Sequence, residues 1–220
     1  MENKVELIGH YGGDITHAQS AWTSTYRDLT EEKRNRMDKL LAFLARKGHH
    51  TPFEKSSLHF LVTTDIASHI HLLKHRIGVS INAESARYKE LKEDKYYIPE
   101  DWKAFHPDKN AKENDTLSKW NRWLEIYTDT GNNLYHECLE ELTPILGRKR
   151  AKESARFFKA YNSQITADVM FNFRSFVHFQ NLSNDEHAQL EIREIADTIL
   201  QQVKDIDNNP FDLTLKAFKL

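Results

Sequence analysis

Side chains suited to a phosphorylated ligand are concentrated between Lys74 and Tyr88, in the sequence KHRIGVSINAESARY. Three cations open this stretch, and two serines, an asparagine and a further arginine follow within it. Charged donors make the stronger hydrogen bonds, so this composition suits a ligand with several phosphate oxygens. The same cations followed by Gly78 are also typical of a helix C-terminus, where cations oppose the helix dipole and glycine supplies a left-handed turn. On spacing alone, the helix end is the favoured interpretation.

The elements around this stretch must position it. Residues 58–63 are rich in apolar and β-branched side chains and predict a strand, and residues 66–74 predict a helix that ends at the cations. A short extended segment is expected over residues 77–82. A helix is then expected over residues 84–93, so that Ser85 lies at a helix N-terminus, where backbone amides can hold a phosphate.

The rest of the chain alternates helix and strand patterns, with helices in the majority. Thr30 is a candidate N-cap with acidic residues directly after it, and Gly48 lies just beyond the end of the same helix pattern. Apolar residues at steps of three and four indicate a long helix later in the chain. The remaining predicted elements are an edge strand over 5–10, helices over 30–47, 116–142, 148–161 and 174–180, a strand over 166–173, and a helix that starts after Ser183.

Composition narrows the class of protein. The chain has 220 residues, of which 29% are charged and 39% hydrophobic, which is a polar but globular composition. Its net charge of -2 argues against nucleic acid as a partner, and the basic run over 148–152 is interpreted as a solvated helix face. No apolar run approaches a membrane span, and the first ten residues lack the apolar core of a signal peptide. A cytoplasmic protein without a membrane partner is expected.

Cys138 is the single cysteine, which agrees with a reducing compartment and excludes an intrachain disulfide. Acidic neighbours would raise the pKa of its thiol, and it falls on the apolar stripe of its helix. We therefore interpret it as a core residue and expect no enzyme nucleophile.

Three blocks of sequence together resemble the flavin-dependent thymidylate synthases. The 74–88 stretch resembles the family signature, which is Arg-His-Arg, seven residues, Ser, and then Arg-Tyr just beyond. Residues 48–54, GHHTPFE, resemble the family's GHETPFE, and residues 185–192, DEHAQLEI, resemble its DSHAQWEI. The signature departs from the pattern at Lys74, which replaces the first Arg, and by one extra residue before Ser80.

The resemblance implies an α+β (mixed α/β) fold, in which a helix-rich single domain over residues 1–220 surrounds a small, mainly antiparallel sheet. It implies a methyltransferase, most simply one that converts dUMP to dTMP. FAD would be the cofactor, and NADPH and methylenetetrahydrofolate the co-substrates. The family binds its flavin in clefts between the subunits of a homotetramer, so the absence of a Gly-x-Gly-x-x-Gly fingerprint does not count against FAD.

The resemblance also implies which residues contact the flavin. His49 is in addition the candidate nearest both flavin and folate. The implied flavin contacts are Ser24, His49, Thr51, Glu54, His75, Arg76, Ile77, Asn172 and Arg174.

The nucleotide is expected at Ser85, Ala86, Arg87 and Arg156, with His71, Lys74 and Ser183 as positions that depart from the family. Ser183 stands where the family has an Arg that contacts the base, and the run over 183–186 predicts a capping box with Ser183 as the N-cap. A hydroxyl cannot replace a guanidinium that stabilises charge on a base carbonyl. Either another cation contacts the base in place of that guanidinium, or the natural base is not the uracil of dUMP. The candidate cations are Arg174, His71, His178 and His187.

Three alternatives stay open. The same flavin chemistry could act on UMP or dCMP, or stop at a hydroxymethyl product. A metal-dependent hydrolase could use the pairs His71 with His75 and His187 with Glu191, each spaced i, i+4, although no metal is expected under the leading hypothesis. A degenerate member of the family could bind nucleotide or a partner without catalysis.

Overall fold

The computed structural model describes residues 2–103 and 105–220. In the described residues, four strands are interspersed among groups of helices along the chain, and short 3-10 helices at Thr51–Glu54 and Arg156–Phe158 precede β2 and β4. The strands are β1 Lys4–Tyr11, β2 Ser57–Asp65, β3 Val79–Ala83 and β4 Gln164–Asn172. The helices are α1 Asp14–Trp22, α2 Glu31–Arg34, α3 Met37–Arg46, α4 Ile66–Leu72, α5 Glu100–Lys103, α6 Ala111–Leu146, α7 Arg148–Ala155, α8 Phe173–Ser183, α9 Leu190–Lys204 and α10 Asp212–Phe218.

The strands form one sheet in the order β1-β2-β4-β3, so β1 is an edge strand, as predicted. The expected α+β class, helix-rich around a small antiparallel sheet, is confirmed. Burial alternates along β2, where Leu58, Phe60 and Val62 are fully buried while His59 between them is not. This alternation is what a strand with one face on the core requires, because successive side chains point to opposite faces.

The chain forms two compact units. The first comprises residues 63–70 and 83–166 with the N-terminal residues before Lys4, and its core joins α6 to α7 through Tyr135, Leu139 and two buried alanines. The second comprises residues 4–62, 71–82 and 167–220. Its core contains Leu41 and Phe53, with aromatic rings of α8 and α10 packed nearby.

The single helix predicted over 30–47 is wrong, since α2 and α3 are separate. Thr30 does cap α2, because its side chain accepts a hydrogen bond from the amide of Lys33. Helix α2 buries no residue, whereas α3 buries Leu41 and Leu44. Tertiary packing supplies most helical stability, so only the segment with a buried face extends into a longer helix.

The helix predicted over 84–93 is also wrong. Turns replace it, and Glu84 is bound at both its backbone and its side chain to Thr166 of β4. The amide of Glu84 donates to the carbonyl of Thr166, and the amide of Thr166 donates to the carboxylate at 3.0 Å. These long-range bonds hold the backbone away from a helical path. Ser85 therefore does not open a helix.

Ser183 is not an N-cap, contrary to the prediction. It is the last residue of α8 and is 3% exposed, and α9 begins only at Leu190 with Gln189 as its N-cap. Helix α8 continues this far because its apolar face, including Phe176 and Phe179, is buried.

The other predicted elements lie close to the observed ones. The long helix is confirmed as α6 and extends past Pro144 to Leu146, just before Gly147, where φ is +76°. The helix expected over 148–161 ends as α7 at Ala155 and passes into a 3-10 turn. Cys138 is half-buried and packs against the core cluster of α6 and α7. No helix in the described residues is both long enough and apolar enough to cross a membrane.

His17 is a buried histidine that makes folding sensitive to pH. Its ring nitrogens contact the hydroxyls of Thr214 at 2.9 Å and Ser56 at 2.7 Å, and the side chain is fully buried. Burial lowers the pKa of His17 from its ordinary 6.5 to about 4. Between these values the unfolded chain binds a proton that the folded chain does not, so protonation favours unfolding there.

We therefore expect the free energy of unfolding to fall by about 3 kcal/mol as the pH falls from 6.5 to 4 because of His17 alone. Denaturant unfolding over that range should show a shallower fall for His17→Gln, which keeps two hydrogen-bonding groups but does not titrate. His187→Gln, at an exposed imidazole, serves as the control. Burial raises the pKa of neighbouring Asp14, which acts in the opposite direction but is common to all three proteins. Equal slopes for wild type and His17→Gln would contradict this prediction.

Candidate functional site

The cationic stretch begins where α4 ends. The amides of Lys74 and His75 donate to the carbonyls of His71 and Leu72, which closes the last turn of the helix. The side chains of His71, Lys74 and Arg76 are exposed. The backbone of these residues therefore forms a helix end, as the favoured interpretation predicted. Their charged side chains remain exposed and accessible to a ligand.

A tight turn at Ile77 and Gly78 is clamped by the start of α8. The hydroxyl of Ser175 donates to the carbonyl of Ile77 at 2.5 Å, and the amide of Asn172 donates to the carbonyl of Gly78 at 2.9 Å. Gly78 has φ +65°, and a Cβ there would lie 2.2 Å from Nδ2 of Asn172. Ile77 is 86% exposed, so the clamp presents its side chain outward.

Asn172 positions this clamp. It is the N-cap of α8, and its Oδ1 accepts a hydrogen bond from the amide of Ser175 at 2.8 Å. Asparagine directly before a helix pattern is a typical N-cap residue, and this signal could have placed the start of α8 at Asn172. The contact of the Ser175 hydroxyl with Ile77 has no such signal, and sequence reasoning missed it. We refer to residues 74–78 together with Asn172 and Ser175 as the signature clamp.

His75 packs inside the signature clamp. Its ring lies edge-on to Phe179 at a centroid distance of 5.0 Å and to His178 at 6.2 Å. Burial, and secondarily the charge of His178, lowers the pKa of His75 below its ordinary value. The imidazole is therefore neutral at pH 7, and the positive charge of the turn comes from Lys74 and Arg76.

The 48–54 block approaches α8 through an ion pair. Arg174 Nη1 lies 2.5 Å from Glu54 Oε1. Burial of Pro52 and Phe53 anchors the 3-10 helix that carries Glu54, and Thr51 at its start is exposed. His49 is exposed as well, and its ring stacks on Phe43 at 6.4 Å.

The structure thus brings eight of the implied flavin residues onto connected segments of the second unit, but not the ninth. Ser24 follows α1, and its hydroxyl donates to the carbonyl of Ala21 at 3.0 Å. Among the described residues, none of its contacts reaches the signature clamp. The residues on connected segments are His49, Thr51, Glu54, His75, Arg76, Ile77, Asn172 and Arg174.

The implied nucleotide residues lie in the first unit, on a loop and on the end of α7. Ser85 Oγ accepts a hydrogen bond from the amide of Arg87 at 3.3 Å, and Ala86 opens the turn between them. Arg87 Nε lies 3.2 Å from Glu153 of α7, and Arg156 begins the 3-10 turn that follows α7. The hydrogen bond from Arg87 lowers the pKa of the Glu153 carboxyl.

A second set of contacts fixes this loop to α7, and sequence reasoning missed it. Lys152 Nζ donates to the carbonyl of Tyr88 at 2.8 Å, and Arg148 pairs with Glu90 at 2.5 Å. The basic run over 148–152 is therefore not merely a solvated helix face. We refer to residues 85–88 with Arg156 as the arginine loop; hydroxyl and guanidinium groups there suit a phosphate.

The candidate replacements for the missing guanidinium differ in exposure. Ser183 is buried, whereas His178, on the same helix, is exposed and adjoins His75. His187 lies in the exposed loop before α9, where Glu186 is 3.7 Å away. Arg174 is half-exposed and paired with Glu54.

The metal-hydrolase alternative finds no ligand set in residues 2–103 and 105–220. No group of three or more His, Cys, Asp or Glu side chains there is arranged to hold a metal ion. The proposed i, i+4 pairs also fail, because α4 ends before His75 and α9 begins after His187.

An exposed cationic turn and a loop of hydroxyl and guanidinium groups, both carried by a helix-rich α+β fold, are features suited to binding phosphorylated ligands. Two solved structures, both of the UMP/dUMP methylase PolB from Streptomyces cacaoi, share the fold. The one bound with 5-Br UMP has a TM-score of 0.79 at 23% identity and covers 99% of this chain and 94% of that chain. The one bound with 5-Br dUMP has a TM-score of 0.81 at 24% identity and covers 99% and 95%.

The chain belongs to the thymidylate synthase complementing protein family, which it matches over residues 6–207. The flavin-dependent thymidylate synthase of Pseudothermotoga lettingae is 33% identical over 92% of this chain and 85% of that protein. The enzyme of the same description from Kosmotoga olearia is 32% identical over 87% and 81%. The resemblance of the three sequence blocks is thereby confirmed, and the protein is an enzyme of this family.

Proposed function

We propose that this enzyme methylates C5 of a pyrimidine nucleotide in a flavin-dependent reaction, most simply dUMP to dTMP. The carbon donor would be methylenetetrahydrofolate and the reductant NADPH. The observation that carries the proposal is the signature clamp, which holds the backbone of a Lys-His-Arg turn rigidly while its charged side chains stay exposed. A preorganised cationic turn is what a phosphate-bearing cofactor needs.

The donor set around the clamp fits FAD. Exposed Lys74 and Arg76 match the charge of a pyrophosphate, and the neutral imidazole of His75, the hydroxyl of Thr51 and the half-exposed guanidinium of Arg174 offer polar contacts for a flavin ring. Bound FAD would supply the reducing equivalents for the reaction. His49, Thr51, Glu54, His75, Arg76, Ile77, Asn172 and Arg174 would hold it, and Ser24 stays a weaker candidate.

The nucleotide phosphate would bind to the arginine loop. Ser85 and the backbone of Ala86 would offer hydrogen bonds, and Arg87 and Arg156 would offer charge-assisted ones. Glu153 holds the guanidinium of Arg87 in position before the ligand arrives. With Cys138 packed against the α6–α7 core, the contribution of the chain is orientation and electrostatics.

A second candidate substrate is UMP. Ser183 is buried and carries no charge, so the base must be recognised by other groups than in the family pattern. A different set of donors is offered by His178, which lies beside His75, by exposed His71 near the end of α4, and by exposed Lys74 just beyond that helix. The fold is shared with a protein described as a UMP/dUMP methylase, which supports a ribonucleotide as a substrate worth testing.

The first test is the visible absorption spectrum of the purified protein with added FAD, followed by titration with dUMP and UMP. We expect a bound-flavin spectrum that at least one of the two nucleotides perturbs. The nucleotide that perturbs the spectrum at the lower concentration is the better candidate substrate, and dCMP serves as the comparison. Absence of flavin binding would overturn the proposal, and flavin binding without a response to dUMP, UMP or dCMP would contradict a pyrimidine nucleotide as the substrate.

Turnover then separates the remaining possibilities. With NADPH and methylenetetrahydrofolate present, mass spectrometry of the nucleotide product distinguishes a methyl from a hydroxymethyl group. A homotetramer with FAD in clefts between subunits is part of the same proposal, and sedimentation measures the assembly directly.

A further inference from the structure

The segment that follows the arginine loop is positioned by contacts from distant parts of the chain. Residues 84–95 form turns and irregular structure between β3 and an isolated bridge at Tyr96. The amide of Leu91 donates to the hydroxyl of Tyr135 on α6 at 3.1 Å. Asp94 has φ +46°, which is uncommon for a residue other than glycine and indicates that its surroundings fix the backbone there.

Asp94 is bound by partners on two other segments of the first unit. Lys159 Nζ donates to Oδ1 of Asp94 at 2.5 Å, and Nε2 of His136 on α6 lies 2.9 Å from Oδ2. Lys159 also donates to Oδ1 of buried Asn132 at 2.8 Å, and its ammonium lies 4.5 Å from the centre of the Tyr135 ring. We refer to Asp94, Lys159, His136 and Asn132 as the aspartate anchor.

The aspartate anchor contains a buried pair of opposite charges. The side chain of Lys159 is only 4% exposed, and a lysine buried to this extent needs a paired charge. Burial acts to raise the pKa of the Asp94 carboxyl, but the hydrogen bonds from Lys159 and His136 outweigh burial and lower that pKa below its ordinary value. Asp94 is therefore ionised at pH 7, and removal of its charge would leave the buried ammonium without a partner.

Lys159 joins the aspartate anchor to the turn that carries Arg156. The 3-10 helix Arg156–Phe158 lies directly before Lys159, whose amide donates to the carbonyl of Arg156 at 3.2 Å. The same turn packs closely on α6, since a Cβ at Gly131 would lie 2.5 Å from the carbonyl oxygen of Phe158. The aspartate anchor therefore connects the Arg156 turn to the segment that follows residues 85–88.

A phosphate that two guanidinium groups share requires a fixed separation between them. Arg87 and Arg156 lie on different segments, so contacts between those segments must set that separation. The pair of Arg148 with Glu90 also reaches this part of the chain, but Arg148 is 62% exposed, and exposed pairs contribute little. The buried aspartate anchor is the stronger constraint, because breaking a buried pair is far more costly.

We propose that Asp94 and Lys159 are positioning residues for the nucleotide phosphate, and that their ion pair sets the separation of Arg87 and Arg156 before the nucleotide binds. This positioning role rests on the proposed function, because it concerns the phosphate of the same nucleotide. Asp94 and Lys159 act through the two arginines and do not touch the ligand. Loss of the pair should therefore weaken nucleotide binding and leave the chemical step at C5 nearly unchanged.

Asp94→Asn tests this role, because it keeps the shape of the side chain and removes the charge that pairs with Lys159. With the better of dUMP and UMP, we expect Kd and KM to rise roughly tenfold and kcat to change by less than about twofold. The matched control is Glu93→Gln, since Glu93 is the adjacent carboxylate and forms an exposed pair with Lys95. It should change Kd, KM and kcat by less than about twofold. Calorimetry and steady-state kinetics provide the measurements, and equal effects of both variants would overturn the positioning role.

A double-variant cycle separates positioning from a general loss of structure. Arg156→Gln alone should weaken nucleotide binding at least about tenfold, because a charge-assisted hydrogen bond to the phosphate is lost. Asp94→Asn added to Arg156→Gln should weaken binding by less than about twofold more, since the separation of two guanidinium groups no longer matters once one is gone. Losses that multiply in the double variant would overturn the positioning role.

His136→Gln is the milder variant to use if Asp94→Asn does not fold. The imidazole of His136 is 36% exposed and is one of two partners of Asp94, so we expect Kd to rise only about threefold. Flavin binding should match that of the wild type in every variant, because the aspartate anchor contains none of the proposed flavin residues. A wild-type protein that binds flavin but no pyrimidine nucleotide would overturn the proposed function and this role with it. A wild type that binds a nucleotide no more tightly than the folded anchor variants would overturn the positioning role alone.

Discussion

Replacing Gly78 with alanine is expected to lower FAD affinity at least tenfold and to destabilise the protein by about 3 kcal/mol. Gly78 has φ +65°, where a side chain costs about 1 to 2 kcal/mol. Its new Cβ would also lie 2.2 Å from Asn172 Nδ2 and 2.4 Å from Ser175 Oγ. Neither neighbour can move cheaply, because both are committed to the cap of α8 and to the carbonyl of Ile77.

The control for this substitution is Gly147→Ala. Gly147 also has positive φ, at +76°, but nothing lies within 4 Å of a Cβ at that position. Gly147→Ala should therefore lower the free energy of unfolding by only about 1 kcal/mol and leave flavin affinity unchanged. Denaturant unfolding and flavin fluorescence quenching measure the two effects. If both variants bind FAD as the wild type does, the signature clamp does not position the cofactor.

Arg87→Gln is expected to reduce kcat/KM for a nucleotide 5′-monophosphate by about a hundredfold, mostly through KM. The guanidinium would make charge-assisted hydrogen bonds to the phosphate, worth roughly 2 to 3 kcal/mol, and the phosphate is remote from C5. Glutamine keeps a hydrogen-bonding side chain but loses the charge. Steady-state kinetics with the better of dUMP and UMP provide the measurement.

Arg150→Gln separates phosphate binding from the loss of an ion pair. Arg150 also pairs with Glu153, at 3.5 Å, but it lies outside the arginine loop. We expect it to change kcat/KM by less than about threefold, since exposed pairs contribute little. A second comparison uses the nucleoside without its phosphate as the substrate. Both substitutions should then change kcat/KM of this weaker reaction by similar factors. Equal losses for Arg87→Gln and Arg150→Gln with the monophosphate would show that Arg87 acts only through Glu153.

Sequence predicted strands and long helices well where the pattern is local and strong. The apolar and β-branched run in β2 and the period of α6 are properties of neighbouring side chains, and both elements were found. Prediction failed for residues 84–93, because Glu84 bonds to Thr166, which lies far away in the chain. It failed again at Ser183, where a locally convincing capping box lost to burial of the α8 face.

The sequence by itself determined the family, the mixed fold class and the segments that carry the candidate site, because short motifs and periodic patterns are local. Only the tertiary structure decided that Asn172 and Ser175 clamp the turn at Gly78, and that burial keeps His75 neutral. It also decided that buried Lys159 pairs with Asp94. Each of these depends on which distant residues become neighbours, and therefore on hydrogen bonds and desolvation that a linear pattern does not contain.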